Sequence, residues 1–245
     1  MDKYFDINFE FDRDEFDIIL LNAIKFNKKG CICIVDGNVL ANTLKIKDYR
    51  TIINNSIVNA CDGSSIAVLA GLIHKKKLRT YTGYEIFIKY IKQECRQLFL
   101  GNTENVLNKI KKRFLKEGIS TSSMIFSVLP YLDVNDFNYK SIGDMVNSYK
   151  PDLIWVSLGA PKQEIFINNL LQYTDKGVLI GIGAVFNFYS GDEETKRAPG
   201  IFSILHLEWL FRVFQEPKRV GKRAYTYLTV LPKIIIDEIK QLQSN

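Results

Sequence analysis

The chain has 245 residues, 47% hydrophobic and 24% charged, a composition that excludes a disordered polymer and is enough for one large core. Four cysteines without a CxxC pair (Cys31, Cys33, Cys61, Cys95) and two histidines argue against a disulfide framework or a zinc site, and point to reduced, mostly buried thiols. The formal net charge of +6 leaves phosphorylated substrates, nucleic acid and anionic membrane as partners to be weighed.

In chain order, MDKYFDINFEF lacks the apolar run of a signal peptide, and YFDINFEF reads as an N-terminal strand. A helix follows in DRDEFDIILLNAIKFN, where Asp12 and Glu15 stand at capping-box spacing. CICIV is a buried strand, IKDYRTIINNS a helix, and IVNACDG a short strand and turn. SSIAVLAGLIHKK is a helix with a serine start, and YEIFIKYIKQEC is another. QLFLG and SSMIFSVL read as strands on either side of the basic amphipathic helix TENVLNKIKKRFLKEG. SIGDMVNSYK is a helix, PDLIWVSLG a strand, PKQEIFINNLLQY a helix and GVLIGIGAVF a strand.

Near-continuous apolar strands alternating with helices predict an α/β fold, with a Rossmann-like, mostly parallel sheet covered on both faces. No run of about 18 apolar residues occurs, so no membrane-spanning helix is expected. The pattern divides the chain into an α/β domain over residues 1–201 and a helical, basic and aromatic appendage over 202–245.

Ligands of parallel sheets bind beyond the carboxyl ends of the strands. Four such ends are polar or glycine-rich: DGNVLAN at 36–42, CDGSSIA at 61–67, LGAPKQE at 158–164 and GIGAVFNFYSG at 181–191. At the third, Lys162, Gln163 and Glu164 follow Gly159 and Pro161 at a helix start, where free N–H groups and the dipole favour phosphate. Pro and Glu in a first turn also serve stability alone. No clean GxGxxG opens the first βαβ unit, which disfavours a nicotinamide enzyme.

VSLGAPKQEIF, GIGAVFNFYSG with KRAP, and LEWLFRVFQEPKRVGKR together resemble the WecG/TagA/CpsF family, glycosyltransferase family 26. With CDGSSIA and TGYEIF the likeness extends over about residues 30 to 224. The resemblance implies a bacterial cytoplasmic enzyme, peripheral on the inner face of the membrane. It would carry a sugar from a UDP-sugar to an undecaprenyl-diphosphate-linked sugar in surface polysaccharide or teichoic acid synthesis, inverting the anomeric centre without a metal or other cofactor. The donor sugar would be of the N-acetylmannosamine or glucose type.

The carboxylate that acts as general base in the family falls on Asp62; Asp36 and Glu85 are its rivals, and an Asx turn or helix cap is the plain structural alternative. Asn38 matches a donor-sugar contact, and the residue two before it, commonly Thr, is here Asp36. Gly159, Lys162, Gln163, Glu164, Gly183, Asn187 and Arg79 complete the expected donor site. Arg79 is one residue out of register, Glu85 stands where Asp is usual, Asn187 where Asp is frequent, and His206 where Gly is usual.

Backbone N–H groups from Gly159 to Gln163, Lys162, and the arginines Arg197, Arg212, Arg219 and Arg223 are candidates to hold the diphosphate or the membrane. Trp209, Phe211, Phe214, Tyr225 and Tyr227 interleave with the basic residues, which suits an anionic membrane surface. The rival readings are a solvated basic helix face, RNA binding, for which no RNP- or KH-like element is present, and a non-catalytic nucleotide-sugar-binding scaffold of a polysaccharide assembly complex. Partners are thus a UDP-sugar, a polyprenyl-diphosphate acceptor and the membrane, not nucleic acid, with homo-oligomerisation left open.

Overall fold

A computed structural model describes residues 1–191 and 217–244. The segment expected to form one N-terminal strand is instead a hairpin of β1 (Asp2–Tyr4) and β2 (Ile7–Phe9), paired antiparallel. Its two-residue turn places Phe5 at φ 53° and Asp6 at φ 60°, the left-handed geometry that matches the twist of a hairpin. Neither residue is a glycine, so the alternation alone did not reveal the turn. Tertiary partners hold it: Phe5 N–H donates to the buried Glu238 carboxylate at 2.6 Å, and Arg50 donates to Asp6 at 2.8 Å.

Helix α1 (Arg13–Lys25) starts as its sequence predicts, with Asp12 accepting from the N–H groups of Asp14 and Glu15. The reciprocal bond to Asp12 N–H comes from Glu10 rather than Glu15. Then follow β3 (Lys29–Val35), α2 (Gly37–Asn42), α3 (Tyr49–Asn54), β4 (Val58–Cys61), α4 (Ser64–His74), α5 (Gly83–Tyr90), β5 (Gln97–Gly101), α6 (Glu104–Lys116) and β6 (Met124–Ser127). The order continues with α7 (Tyr139–Tyr149), β7 (Leu153–Ser157), α8 (Lys162–Leu171), β8 (Gly177–Gly181) and α9 (Val185–Ser190). A last helix, α10, spans Pro217–Ser244.

Three local expectations change. DGNVLAN is not only a strand end: Asp36 accepts from Val39 N–H and starts α2. The serine start of α4 is not a cap, since Gly63 occupies that position without a side-chain bond. The glycine-rich strand β8 stops at Gly181, and Val185 and Phe186 belong to α9.

Six strands form one parallel sheet in the order β4-β3-β8-β7-β5-β6. Alternate residues of β3 divide between its faces. Ile32 and Ile34 join a core with α1, α5, α6 and α9, while Cys33 and Val35 join one with α2, α3 and α4. Apolar residues on both sides are what a sheet covered by crossover helices requires. Helix α10 packs on α2 through Tyr227, Val230 and Ile234, and its buried Glu238 bonds His74 of α4 at 2.7 Å. Among the described residues, no helix is long and apolar enough to cross a membrane.

Candidate active site

Strands β3 and β8 are neighbours, yet α2, which follows β3, and α9, which follows β8, lie on opposite faces of the sheet. Such a divergence opens a crevice at the carboxyl ends of the strands. Four strand tips border it in the order β4, β3, β8, β7: Asp62, Asp36, Gly183 and Gly159.

Asp36 and Asp62 stand side by side, because Val35 pairs with Cys61 in the register and Asp62 N–H continues the ladder to Val35 O at 3.0 Å. The Asp36 carboxylate caps α2 through Val39 N–H at 2.8 Å. Asp62 does not cap α4, the helix that follows it. Its Oδ1 accepts from Gly83 N–H, the first amide of α5, at 3.2 Å. Gly83 in turn packs against Ile34 and Val185, so the tip of β4 and the turn after β8 meet around it. Both carboxylates are half-buried.

The β7 and β8 tips are built differently. Gly159 (φ 76°) and Gly183 (φ 54°) adopt the left-handed conformation that disfavours any side chain. The Gln163 Oε1 accepts from both of their N–H groups, at 3.2 Å from Gly159 and 2.9 Å from Gly183. Gln163 Nε2 donates to Glu164 Oε1 at 2.8 Å, and Tyr49 OH donates to Glu164 Oε2 at 2.8 Å. A Cβ at Gly181 would lie 3.1 Å from the Gln163 amide, so glycine there makes room for it.

Glu164 is 1% exposed. Burial pushes its carboxyl up to about 7 against the lowering effect of the Gln163 and Tyr49 bonds, and the Asp36 charge adds to the rise. Tyr49, also raised by burial and then by Glu164, remains a protonated donor.

This geometry changes what the third strand end offers. The N–H groups of Gly159 and Gln163 are engaged within the chain, the latter with Gly159 O at 3.0 Å, so neither is available to a diphosphate here. Glu164 is turned into the interior rather than toward a sugar. Lys162 turns toward the segment after β6, where its ammonium donates to Leu132 O and lies 5.3 Å from the Tyr131 ring and 5.2 Å from the Phe137 ring.

Of the remaining expected residues, Asn38 is half-buried on α2, and its backbone carbonyl accepts from Asn42. Asn187 accepts from Asn102 Nδ2 at 2.6 Å, and the same amide lies 3.2 Å from Ser157 Oγ. Arg79 is exposed in the segment between α4 and α5. Glu85 is occupied structurally: it forms a capping box with Thr82 and an ion pair with Arg13 at 3.1 Å. The T-x-x-E spacing at 82–85 is the sequence signal for that box. Arg197 and Arg212 lie outside the described residues, and Arg219 and Arg223 fall on α10.

Sequence reasoning missed Tyr49, Asn102 and Ser157, and gave Tyr227 no place at the strand tips. Asn102 follows a strand-end glycine and has φ 65°, a conformation asparagine tolerates, and that is its one local signal. Tyr227 closes the β3 tip from outside, since a Cβ on Gly37 would meet its ring at 3.0 Å, and its hydroxyl lies 3.2 Å from Ser65 Oγ.

Comparison with known proteins places the chain in a family. The model of the Glycosyl transferase WecG/TagA/CpsF family matches residues 6–244. An N-acetylglucosaminyldiphosphoundecaprenol N-acetyl-beta-D-mannosaminyltransferase of Bacillus subtilis (strain 168) is 26% identical over 228 residues, covering 86% of each chain. The enzyme of the same name from Bacillus spizizenii is 25% identical over 199 residues, 79% of this chain and 74% of the relative. One from Staphylococcus aureus (strain MRSA252) is 25% identical over 177 residues, 71% of this chain and 67% of the relative.

Proposed function

The chain belongs to the WecG/TagA/CpsF family of glycosyltransferases, and from that premise we propose the reaction it performs. It moves a sugar of the N-acetylmannosamine or glucose type from a UDP-sugar to an undecaprenyl-diphosphate-linked sugar, inverting the donor carbon without a metal. The product is an intermediate of a bacterial surface polysaccharide or teichoic acid. The activity after which the Bacillus and Staphylococcus relatives are named supports this substrate class.

The observation that carries the reading is the Asp62 carboxylate at the tip of β4, beside Asp36 and held by Gly83 N–H. An acceptor hydroxyl attacks C1 of the donor as the C1–O bond to UDP breaks. The hydroxyl proton passes to the Asp62 carboxylate, and UDP departs with the electron pair of the broken bond. Asn38 and Asn187 contact the donor, and the arginines at 79, 197, 212, 219 and 223 supply positive charge to diphosphate groups.

The test is UDP release from a panel of UDP-sugars, with a short-chain polyprenyl-diphosphate-linked N-acetylglucosamine as acceptor, run with and without EDTA. One UDP-sugar should support turnover in both conditions, and Asp62→Asn should keep UDP affinity while losing turnover. Turnover undiminished in that variant removes Asp62 as the base.

The enzyme works from the inner face of the membrane, with α10 lying on the lipid. Tyr225, Leu228, Ile236, Ile239 and Leu242 are exposed along the helix, and of these Tyr225 and Ile236 lie opposite the docked Tyr227, Ile234 and Glu238. Lys222, Lys233 and Lys240 are also exposed, and their 11- and 7-residue spacings put them on one line beside the apolar stripe. At about 1 kcal/mol per basic residue, changing all three to Glu should weaken co-sedimentation with anionic liposomes on the order of 100-fold. Sedimentation equal to that of the unaltered chain would exclude α10 as the anchor.

A further inference from the structure

A glutamine amide is nearly symmetric in shape, so its partners decide which end carries oxygen. At Gln163 they leave one solution. Its Oε1 meets two donors, Gly159 N–H and Gly183 N–H, and its Nε2 meets an acceptor, Glu164 Oε1. A half-turn of the amide would set NH2 against two N–H groups and oxygen against a carboxylate. Leaving such buried groups unsatisfied is costly.

The glycines belong to turns after different strands, β7 and β8, so a single side-chain oxygen ties two borders of the crevice together. Behind it, Glu164 and Tyr49 are 1% and 0% exposed. Neither side chain can touch a substrate in the crevice. Tyr49 comes from α3, 115 positions away from Glu164, so the chain Tyr49–Glu164–Gln163 links α3 to the tips of β7 and β8.

We propose that Glu164, backed by Tyr49, is a positioning residue: it fixes the Gln163 amide so that its oxygen clamps the β7 and β8 tips at the separation a nucleotide-sugar donor needs. This role rests on the glycosyltransferase reading above. The bonding pattern also predicts which replacement succeeds. A glutamine at 164 can accept from Gln163 with its oxygen and donate to a turned Tyr49 hydroxyl with its nitrogen, as a protonated Glu164 would. An alanine can do neither.

The experiment compares Glu164→Gln, Glu164→Ala and Tyr49→Phe with the unaltered chain in full-length protein. Circular dichroism monitors folding, steady-state kinetics vary donor and acceptor separately, and 15N NMR follows amide exchange at Gly159 and Gly183. Displacements near 1 Å at a binding border cost on the order of 100-fold. Glu164→Ala should therefore lose about 30-fold in kcat/KM for the donor, with acceptor KM unchanged and both glycine amides exchanging faster. Glu164→Gln should stay within about 3-fold, and Tyr49→Phe should fall between the two.

Loss in Glu164→Gln as deep as in Glu164→Ala would overturn positioning in favour of a requirement for the charge. A folded Glu164→Ala with unchanged donor kinetics and exchange would overturn it outright. Should Glu164→Ala not fold, Tyr49→Phe decides, and unchanged donor KM and glycine exchange there would equally reject the clamp. If the unaltered chain uses no UDP-sugar, the functional reading fails by itself. Faster glycine exchange in Tyr49→Phe and Glu164→Ala than in Glu164→Gln would still establish the clamp, and equal exchange would reject it.

Discussion

The two sides of the crevice are made of similar residues used in opposite ways. On the β7/β8 side a carboxylate, an amide and a phenol are buried, and each polar atom named there has a defined partner. On the β3/β4 side two carboxylates stand half-buried at adjacent strand tips, each bonded to a helix-start amide. Burial raises the cost of a misplaced polar group, so the first side is rigid and specifies geometry. Partial exposure leaves the second within reach of solvent. A sealed, internally bonded side thus faces a half-buried pair of carboxylates across the crevice.

The comparison breaks most sharply at Asp62. Asp62→Asn keeps an oxygen for Gly83 N–H, so the melting temperature should be unchanged, while turnover falls about 10³-fold for want of a base. A large fall in melting temperature would move Asp62 to the scaffold side.

Glu164 gives the next largest effect, and it is a pH effect on stability. Its folded carboxyl is raised to about 7 from the ordinary glutamate value of 4.5, so between these values the native state binds more protons than the unfolded state. This group's contribution is therefore most favourable below about 4.5, and stability declines as pH rises to about 7, by about 3 kcal/mol in all. In Glu164→Gln that decline is absent. Denaturant unfolding at pH 5, 6, 7 and 8 should show the two curves diverging toward high pH, and parallel curves would mean that Glu164 is less buried than described.

The smallest effect separates two glycines. Gly183→Ala places a side chain at φ 54° and should cost about 1–2 kcal/mol, a drop of a few degrees in melting temperature. Gly63, on the open side, is at φ −85°, and the atoms nearest to a Cβ there are Ile66 Cδ1 at 3.1 Å, Ile66 Cγ1 at 3.2 Å and Gly37 N at 3.5 Å. Gly63→Ala should cost less than Gly183→Ala in the same melt, and the reverse order would contradict the assigned backbone.

Much of the architecture was legible because it depends on local spacing. Apolar runs of strand length between helical periods predicted the parallel sheet, and the polar strand ends located the crevice. Asp12 announced the start of α1, and T-x-x-E at 82–85 is the local pattern behind the cap that Glu85 makes on α5. The N-terminal hairpin escaped this reasoning because its turn uses Phe5 and Asp6, whose left-handed geometry depends on Arg50 and Glu238, far away in the chain.

The chain's own order of residues thus determined the alternation of strands and helices, the glycines that turn at β7 and β8, and the placement of Asp62 at a strand tip, since each depends on neighbours a few positions apart. Tertiary structure alone decided that Glu164, in a helix start that reads as part of a donor site, is sealed beneath Tyr49, and that Tyr227 of the last helix rests on Gly37. Those outcomes depend on which distant segments the crossover connections bring into contact. No local period encodes that, and the energy of the buried Glu164 carboxylate depends on Tyr49, 115 positions away, as well as on its neighbour Gln163.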